Sequence, residues 1–358
     1  MTLFTILHKI NKVFYFTTLG LYLLFVYPGM LFQIALGIVQ ILIGIILFIK
    51  REKLNQSDLN KVSNYWILVL AAFVFIVFNL KFGNDLGNFI FLFLFPMSIA
   101  TYFYFVTANL NSDSFLEAEW KNLVLFNYEI DPEVLKKYVP TGTEIDIWND
   151  KCYVSLVGFM FENTKVLGLK VPFHINFEEV NLRFYVKRFE NGEWKRGVVF
   201  IKEIVPKKAI TFIANTLYQE HYETQKMKHE IIENKNTNTF IYQWKNDKKW
   251  NTIEIETKKD LSEIEVGSEA EFITEHYFGY TKINKKTTFE YEVTHPRWEQ
   301  FEVLNHRIDI DFRKTYGSDF EFLQTQKPAS VFLAKGSKIT VKNKRKLQQI
   351  PVEEELYA

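Results

Sequence analysis

Cysteine is almost missing from this chain. Cys152 is the only one among 358 residues, which excludes an intrachain disulfide and a thiolate metal cluster. Net charge is equally scarce: 43 basic and 42 acidic residues leave +1, a balance that argues against a nucleic-acid partner, which needs a basic surface. No Gly-rich phosphate loop and no internal repeat is visible, so no cofactor is expected. The seven histidines are scattered. His221 and His229 stand eight apart and no pair has a tight ligand spacing, so no metal is expected. No Ser-His-Asp or Cys-His arrangement can be argued from residue order.

Charge is scarcest at the front. Residues 1–110 hold seven Lys and Arg and three acids, a net of +4, whereas the remainder holds 36 basic and 39 acidic residues, a net of −3. These are two environments in one chain. No charged residue occurs from Val13 to Ile49, a run too long for one membrane helix of about 20 residues. Pro28 and Gly29 near its middle predict a helical hairpin. No small-residue cleavage site follows Tyr27, so the first run reads as a span and not as a cleaved signal. Two more charge-free runs, 62–80 and 86–112, flank a polar turn of Lys81, Gly83, Asn84, Asp85 and Gly87. Four spans are therefore expected, near 11–27, 31–49, 62–80 and 86–107, forming a membrane region over 1–112. Lys9, Lys12, Lys50, Arg51, Lys53 and Lys61 lie before span one or between spans two and three, which places the N-terminus and the C-terminal domain in the cytoplasm of a multi-pass inner-membrane protein. Within the spans, Gln33 and Gln40 share one helix face and are expected to bond between helices.

After Ser112 the period changes to two. Val180, Leu182, Phe184 and Val186 alternate with Asn181, Arg183, Tyr185 and Lys187, the pattern of a half-buried strand. Similar runs predict strands at 123–128, 153–161, 198–205, 240–244, 252–257, 270–280, 287–294, 307–312, 330–333 and 338–341. The predicted fold is an antiparallel, mainly-β barrel or sandwich over 113–342, interrupted by two short helices. One is capped by Asp131 with Pro132 at its first position. The other runs over 208–219. Residues 343–358 read as a charged, solvated tail.

Several motifs carry a resemblance. Trp120-x-x-Leu123, Asn127-Tyr128, Asp131-Pro132 and Val139-Pro140-x-Gly142 open it; Tyr153-Val154-Ser155-Leu156-Val157 follows. Glu179-Val180-Asn181-Leu182-Arg183-x-Tyr185-Val186 and Arg196-Gly197-Val198-Val199-Phe200 form its centre, and Thr274-Glu275-His276-Tyr277 and His295-Pro296-Arg297-Trp298 close it. Together, over about 118–340, they resemble the YqjF-like family of uncharacterised conserved proteins, which is similar in fold to acetoacetate decarboxylase, a double-sheet barrel with an internal cavity. The front end lies outside the resemblance. In those decarboxylases a Phe-Pro-Lys-Lys element carries the Schiff-base lysine. Glu203-Ile204-Val205-Pro206-Lys207-Lys208-Ala209 echoes it with a shorter spacing, so the resemblance implies Lys207 as nucleophile and Lys208 as the neighbouring cation. A free lysine has a pKa of about 10.4. Such chemistry therefore needs a dry, cationic site that lowers it.

Glu179, Asn181, Arg183 and Tyr185 share one strand face. That face is either solvated or the polar lining of a barrel, where Arg183 would grip a carboxylate. Tyr277, His295 and Trp298 complete the candidate ligand-binding set. The expected function is a membrane-anchored cytoplasmic barrel that binds a small anionic or carbonyl-bearing metabolite, with the lipid bilayer as its other partner and the oligomeric state open. The alternatives are a decarboxylase-like enzyme using Lys207, and a membrane-bound assembly or scaffold protein.

Overall fold

The computed structural model describes residues 3–54, 56–82, 90–111 and 114–347. It divides into two compact units, Met1–Asp113 and Ser114–Ala358.

The first unit is helical: α1 (Leu3–Leu24), α2 (Val26–Ile49), α3 (Gln56–Phe82) and, after a π-turn at Ile90–Leu94, α4 (Phe95–Asn111). Among the described residues, α2 alone is long and apolar enough to cross a membrane. Of the other expected spans, α1 takes in His8, Lys9, Asn11 and Lys12, α3 takes in the uncharged run 62–80, and Leu92–Ala108 is a shorter apolar helix. The hairpin breaks at Phe25, which is extended, and not at Pro28-Gly29. Pro28 lies instead in the first turn of α2, where its missing N–H has no partner to lose. Of the expected span 86–107, the π-turn Ile90–Leu94 runs directly into α4, and residues 83–89, with the polar turn at 83–87, lie outside the described residues. Polar groups do bond between helices: Gln40 Nε2 donates to Asn11 Oδ1 at 2.9 Å and to the Ala100 carbonyl at 3.1 Å, and Gln33 Nε2 donates to the Leu92 carbonyl at 2.8 Å.

The second unit is mainly β. Its strands are β1 (Ser114–Glu129), β2 (Glu144–Ile145), β3 (Tyr153–Val166), β4 (Phe177–Glu190), β5 (Glu193–Val205), β6 (Tyr222–Thr224), β7 (Lys226–Glu233), β8 (Thr237–Asn246), β9 (Lys249–Glu263), β10 (Phe278–Asn284), β11 (Thr287–Thr294), β12 (Glu299–Asp309), β13 (Ser330–Lys342) and β14 (Arg345–Lys346). Hydrogen bonding runs β11-β10-β5-β4-β3-β1-β13, and β13 returns to β11 at Val293↔Val341, so these seven strands form a closed ring. Closure removes the sheet edges. From β13 the sheet continues through β12, β9, β8 and β7 as a second layer. Most pairs are antiparallel; β10–β5 and β5–β6 are parallel.

The two layers explain why β4 is buried on both faces. Val180, Leu182, Phe184 and Val186 join Phe240, Tyr242, Trp244, Ile253 and Ile255 of the second layer in one core. Gly158 marks the close approach of the layers, since a Cβ there would stand 2.6 Å from Ile253 Cδ1. The opposite face of β4 looks into the ring.

Asp131 caps α5 (Pro132–Leu135) as predicted, accepting from the Glu133 N–H at 2.9 Å. The predicted helix at 208–219 is α6 (Lys208–Ile213) followed by a π-turn to Tyr218. The strand expected at 270–280 is instead α7 (Glu269–Thr274) and then β10. Ser268 caps it by accepting from the Glu271 N–H at 3.2 Å, a signal that outweighs the apolar run behind it. The strand expected at 307–312 ends at Asp309, and α8 (Phe312–Tyr316) follows, capped by Asp311. Residues 330–333 and 338–341 are one strand. The expected tail begins later than 343, because β14 pairs with β11 and Leu347 is buried; residues 348–358 lie outside the described residues.

Gly336 and Gly142 both adopt positive φ, +79° and +87°. A Cβ at Gly336 would meet the Trp120 carbonyl oxygen at 2.1 Å, whereas one at Gly142 meets nothing within 4 Å. Gly142→Ala should cost about 1 kcal/mol through its backbone conformation alone. Gly336→Ala should cost clearly more, because the β1–β13 pairing must open. Thermal unfolding of the two variants checks the order; equal losses would contradict the contact.

Candidate functional site: a carboxyl-lined chamber

The ring encloses a cavity of about 180 Å³, far above the ~10–15 Å³ that one water needs. Its walls are largely aromatic and aliphatic, including Trp120, Phe159, Phe161, Phe177, Phe200 and Trp298. Set into them are Glu179, Asn181, Arg183, Glu203, Glu220, Tyr222 and His276.

Strand register assembles this group. The alternation of β4 turns Glu179, Asn181 and Arg183 inward together. Asn181 pairs with Glu203 across β4–β5, and Glu203 pairs with Tyr222 across β5–β6. Residues paired directly across strands stand side by side on one face. Glu220 arrives just after Gln219, whose left-handed φ of 58° ends the π-turn.

Asn181 Nδ2 donates to Glu179 Oε1 at 2.9 Å, the Tyr222 hydroxyl donates to Glu179 Oε2 at 3.1 Å, and the Thr281 hydroxyl donates to Glu220 at 2.6 Å. Burial pushes all three carboxyls up, Glu179 and Glu220 to about 7, and Glu203 well above the usual range. Glu203 is raised further by the charges of Glu220 and Glu179. Arg183 is the only Lys or Arg among the described lining residues. Six buried atoms of lining residues lack a partner: Trp120 Nε1, Thr164 Oγ1, Asn181 Oδ1, Arg183 Nε, Glu203 Oε2 and His276 Nδ1. Such orphans are uncommon in folded proteins, and the last four of these belong to the polar group set into the wall.

His276 belongs to a second arrangement. Its Nε2 lies 3.3 Å from Asp146 Oδ2, which also accepts from Arg196 Nε at 2.6 Å. Burial alone would raise the Asp146 carboxyl, but the bonds from His276 and Arg196 outweigh it and hold the group below its ordinary value. Burial lowers the His276 ring to about 4, so it is neutral at physiological pH.

The expected site residues divide cleanly. Glu179, Asn181, Arg183, His295 and Trp298 all line the cavity. His295 is stacked between Tyr277 and Trp298, with ring centroids 4.6 and 4.2 Å away, and Trp298 Nε1 donates to the Ser337 hydroxyl at 2.8 Å. Tyr277 therefore supports the wall from behind. Lys207 and Lys208 are not among the lining residues. Lys207 precedes α6, and its charge acts on Glu178, which bonds His229 of β7 at 2.6 Å on the outer face of β4. Glu178 and Glu179 point to opposite faces of β4. Lys208 is exposed. Glu203, Glu220, Tyr222, His276 and Asp146 were not singled out from sequence. Glu203 and His276 stood inside quoted motifs, but nothing in their local pattern showed which way they point. Cys152 is buried, and burial raises its thiol to about 11.

The unit is thus a closed β ring around a largely apolar cavity with a buried polar cluster set into its wall. Residues 117–338 match the family described as an uncharacterized conserved protein, DUF2071, and the chain belongs to that family. It is similar to the uncharacterized protein YqjF of Bacillus subtilis strain 168, 25% identical over 186 residues that make up 50% of this chain and 72% of that protein. Among solved structures it is similar to acetoacetate decarboxylase from Legionella pneumophila (TM-score 0.46, 11% identity, 65% of this chain and 87% of that one). It is also similar to the enduracididine biosynthesis enzyme MppR in complex with pyruvate (TM-score 0.47, 11% identity, 65% and 90%).

The carboxyl cluster has a defined pH signature. A buried acid whose pKa is raised on folding keeps its proton in the folded state and loses it in the unfolded state. Its contribution therefore favours folding most at low pH and declines as pH rises from the ordinary carboxyl value near 4.5 through the raised one. Glu203→Gln removes this titration with little change in shape. The variant should gain melting temperature over wild type as pH rises from 5 to about 8. A difference that does not grow with pH would contradict the raised value.

Proposed function

We propose that the Ser114–Ala358 unit is a receptor for a small carboxylic acid, held without a covalent bond inside the ring. Arg183 carries this reading: the residue is 7% exposed, among aromatic walls, with Nε unpartnered. A buried guanidinium lacking a partner is costly, and a carboxylate would supply both charge and geometry. The three carboxyls do not oppose such a guest while they hold their protons; as neutral acids they also donate hydrogen bonds to an oxo or carboxylate oxygen. The aromatic wall suits an apolar substituent. Schiff-base chemistry through Lys207 is disfavoured because that residue is not among those lining the chamber.

Helix α2 presents Leu31, Ile34, Ile38, Leu42 and Phe48 outward, which supports its role as a membrane anchor. The finer reading keeps α1, α3 and α4 with it in a four-span bundle, holding the chamber on the cytoplasmic side as the loop cations suggest.

The test is titration calorimetry of the full chain in detergent with phenylglyoxylate, an oxo acid with an apolar ring. Binding is expected, with Arg183→Met weakening it by about tenfold or more and Lys207→Ala leaving it within about twofold. Loss of binding in the lysine variant, or borohydride reduction that fixes the acid to Lys207, would replace this reading with Schiff-base chemistry. No binding to the wild type would remove it.

A further inference from the structure

The Asp146–His276 pair plays no part in gripping a carboxylate, yet its geometry is specific. Strand β2 pairs with β4, and the Asp146 N–H donates to the Tyr185 carbonyl at 3.0 Å, which seats the aspartate against the chamber wall. Asp146 is 5% exposed and His276 7%. Arg196 keeps Asp146 ionised, so the carboxylate accepts the proton carried on His276 Nε2. A neutral imidazole with its proton on Nε2 has a lone pair on Nδ1. That atom is buried without a partner, on a ring that lines the chamber. Arg183 and His276 both pack on Tyr185: the guanidinium carbon is 5.8 Å from its ring centroid and the imidazole centroid is 4.6 Å away. The chamber therefore holds an unpaired donor and an unpaired acceptor on one aromatic ring.

We propose that Asp146 orients His276 so that Nδ1 accepts a hydrogen bond from a hydroxyl of the bound acid, which makes the natural ligand class hydroxy acids with an apolar substituent. This rests on the preceding reading of the chamber as a carboxylic-acid receptor. Arg183 takes the carboxylate, the Trp120 and Phe159 wall takes the apolar part, and His276 takes the hydroxyl proton without removing it. Asp146 is a positioning residue: as an ion it accepts only, so the imidazole must present Nε2–H to it and Nδ1 to the chamber.

The test compares mandelate with phenylacetate, which differ by the hydroxyl alone, on the full chain in detergent. The wild type should bind mandelate more tightly by about tenfold or more, because a site built for a hydroxyl disfavours the analogue without one. His276→Phe should abolish that ratio while keeping phenylacetate binding, and Arg183→Met should weaken both acids. A ratio near one in the wild type, or an unchanged ratio in His276→Phe, overturns the inference while leaving the receptor reading intact. If neither acid binds the wild type, both fall. Nitrogen NMR of histidine-labelled wild-type protein is independent of any variant's folding. It should show one neutral ring protonated at Nε2 that persists to low pH, its signal absent in His276→Phe or shifted in Asp146→Asn. A proton on Nδ1 of that ring overturns the inference as well.

Discussion

The cost of placing carboxyl groups in a dry space governs the β unit. Glu179, Glu203 and Glu220 share one aromatic-walled chamber with a single guanidinium. Three ionised carboxylates there would repel one another and forfeit their hydration. The structure answers by protonation and by supplied donors: Asn181 and Tyr222 for Glu179, Thr281 for Glu220. Each donor arrives on a different strand, so the arrangement holds only while β4, β5, β6 and β10 keep their register. A slip of one residue on β4 would send Glu179, Asn181 and Arg183 into the apolar core and bring Val180 and Leu182 into the chamber.

The same constraint explains the two-layer design. On β4 the ring-facing side carries much of the polar cluster, so most of that strand's apolar burial lies outside the ring's own apolar cluster around Leu125, Val157 and Phe159. The apolar face of β4 instead packs outward, on the layer made by β7, β8, β9 and β12, and that core contains Trp244, Tyr242, Ile253 and Ile255, all essentially inaccessible to solvent. Hydrophobic burial on one side of the strand offsets polar burial on the other. Among the unpartnered polar groups that remain after this compensation, six belong to residues lining one cavity, the kind of place where folding rules yield to function.

Sequence pattern showed much of this frame and stopped at a definite point. The alternation in β4 identified a strand and grouped Glu179, Asn181 and Arg183 on one face, but a two-residue period is the same whether the polar face meets water or a chamber. Only ring closure, which depends on the pairing of β11 with β13 far along the chain, decides between them. Glu220, Tyr222 and Asp146 were invisible because each stands at a short strand or turn with no periodic signal. Lys207 stood out because lysine next to lysine after proline echoes a reactive motif; its absence from the chamber lining follows from the path into α6, which no local pattern encodes. At α7 a Ser cap with Glu at the third position marked a helix start, and the apolar run that followed concealed it. In the helical unit, counting uncharged residues found the long α2; α1 carries Lys9 and Lys12 within its length, so its uncharged run is shorter than the helix.

Infrared spectroscopy of the ligand-free full chain tests the central claim most directly, since protonated and ionised carboxyl groups absorb separately. Glu179→Gln, Glu203→Gln and Glu220→Gln variants assign the bands. A chamber of neutral carboxyls should show protonated-acid absorption near pH 6 that diminishes in each variant and fades as pH is raised past the ordinary carboxyl range by several units. If the three groups are fully ionised at pH 6, the chamber is a charged acidic pocket, and the account of a receptor that admits an anionic guest is wrong.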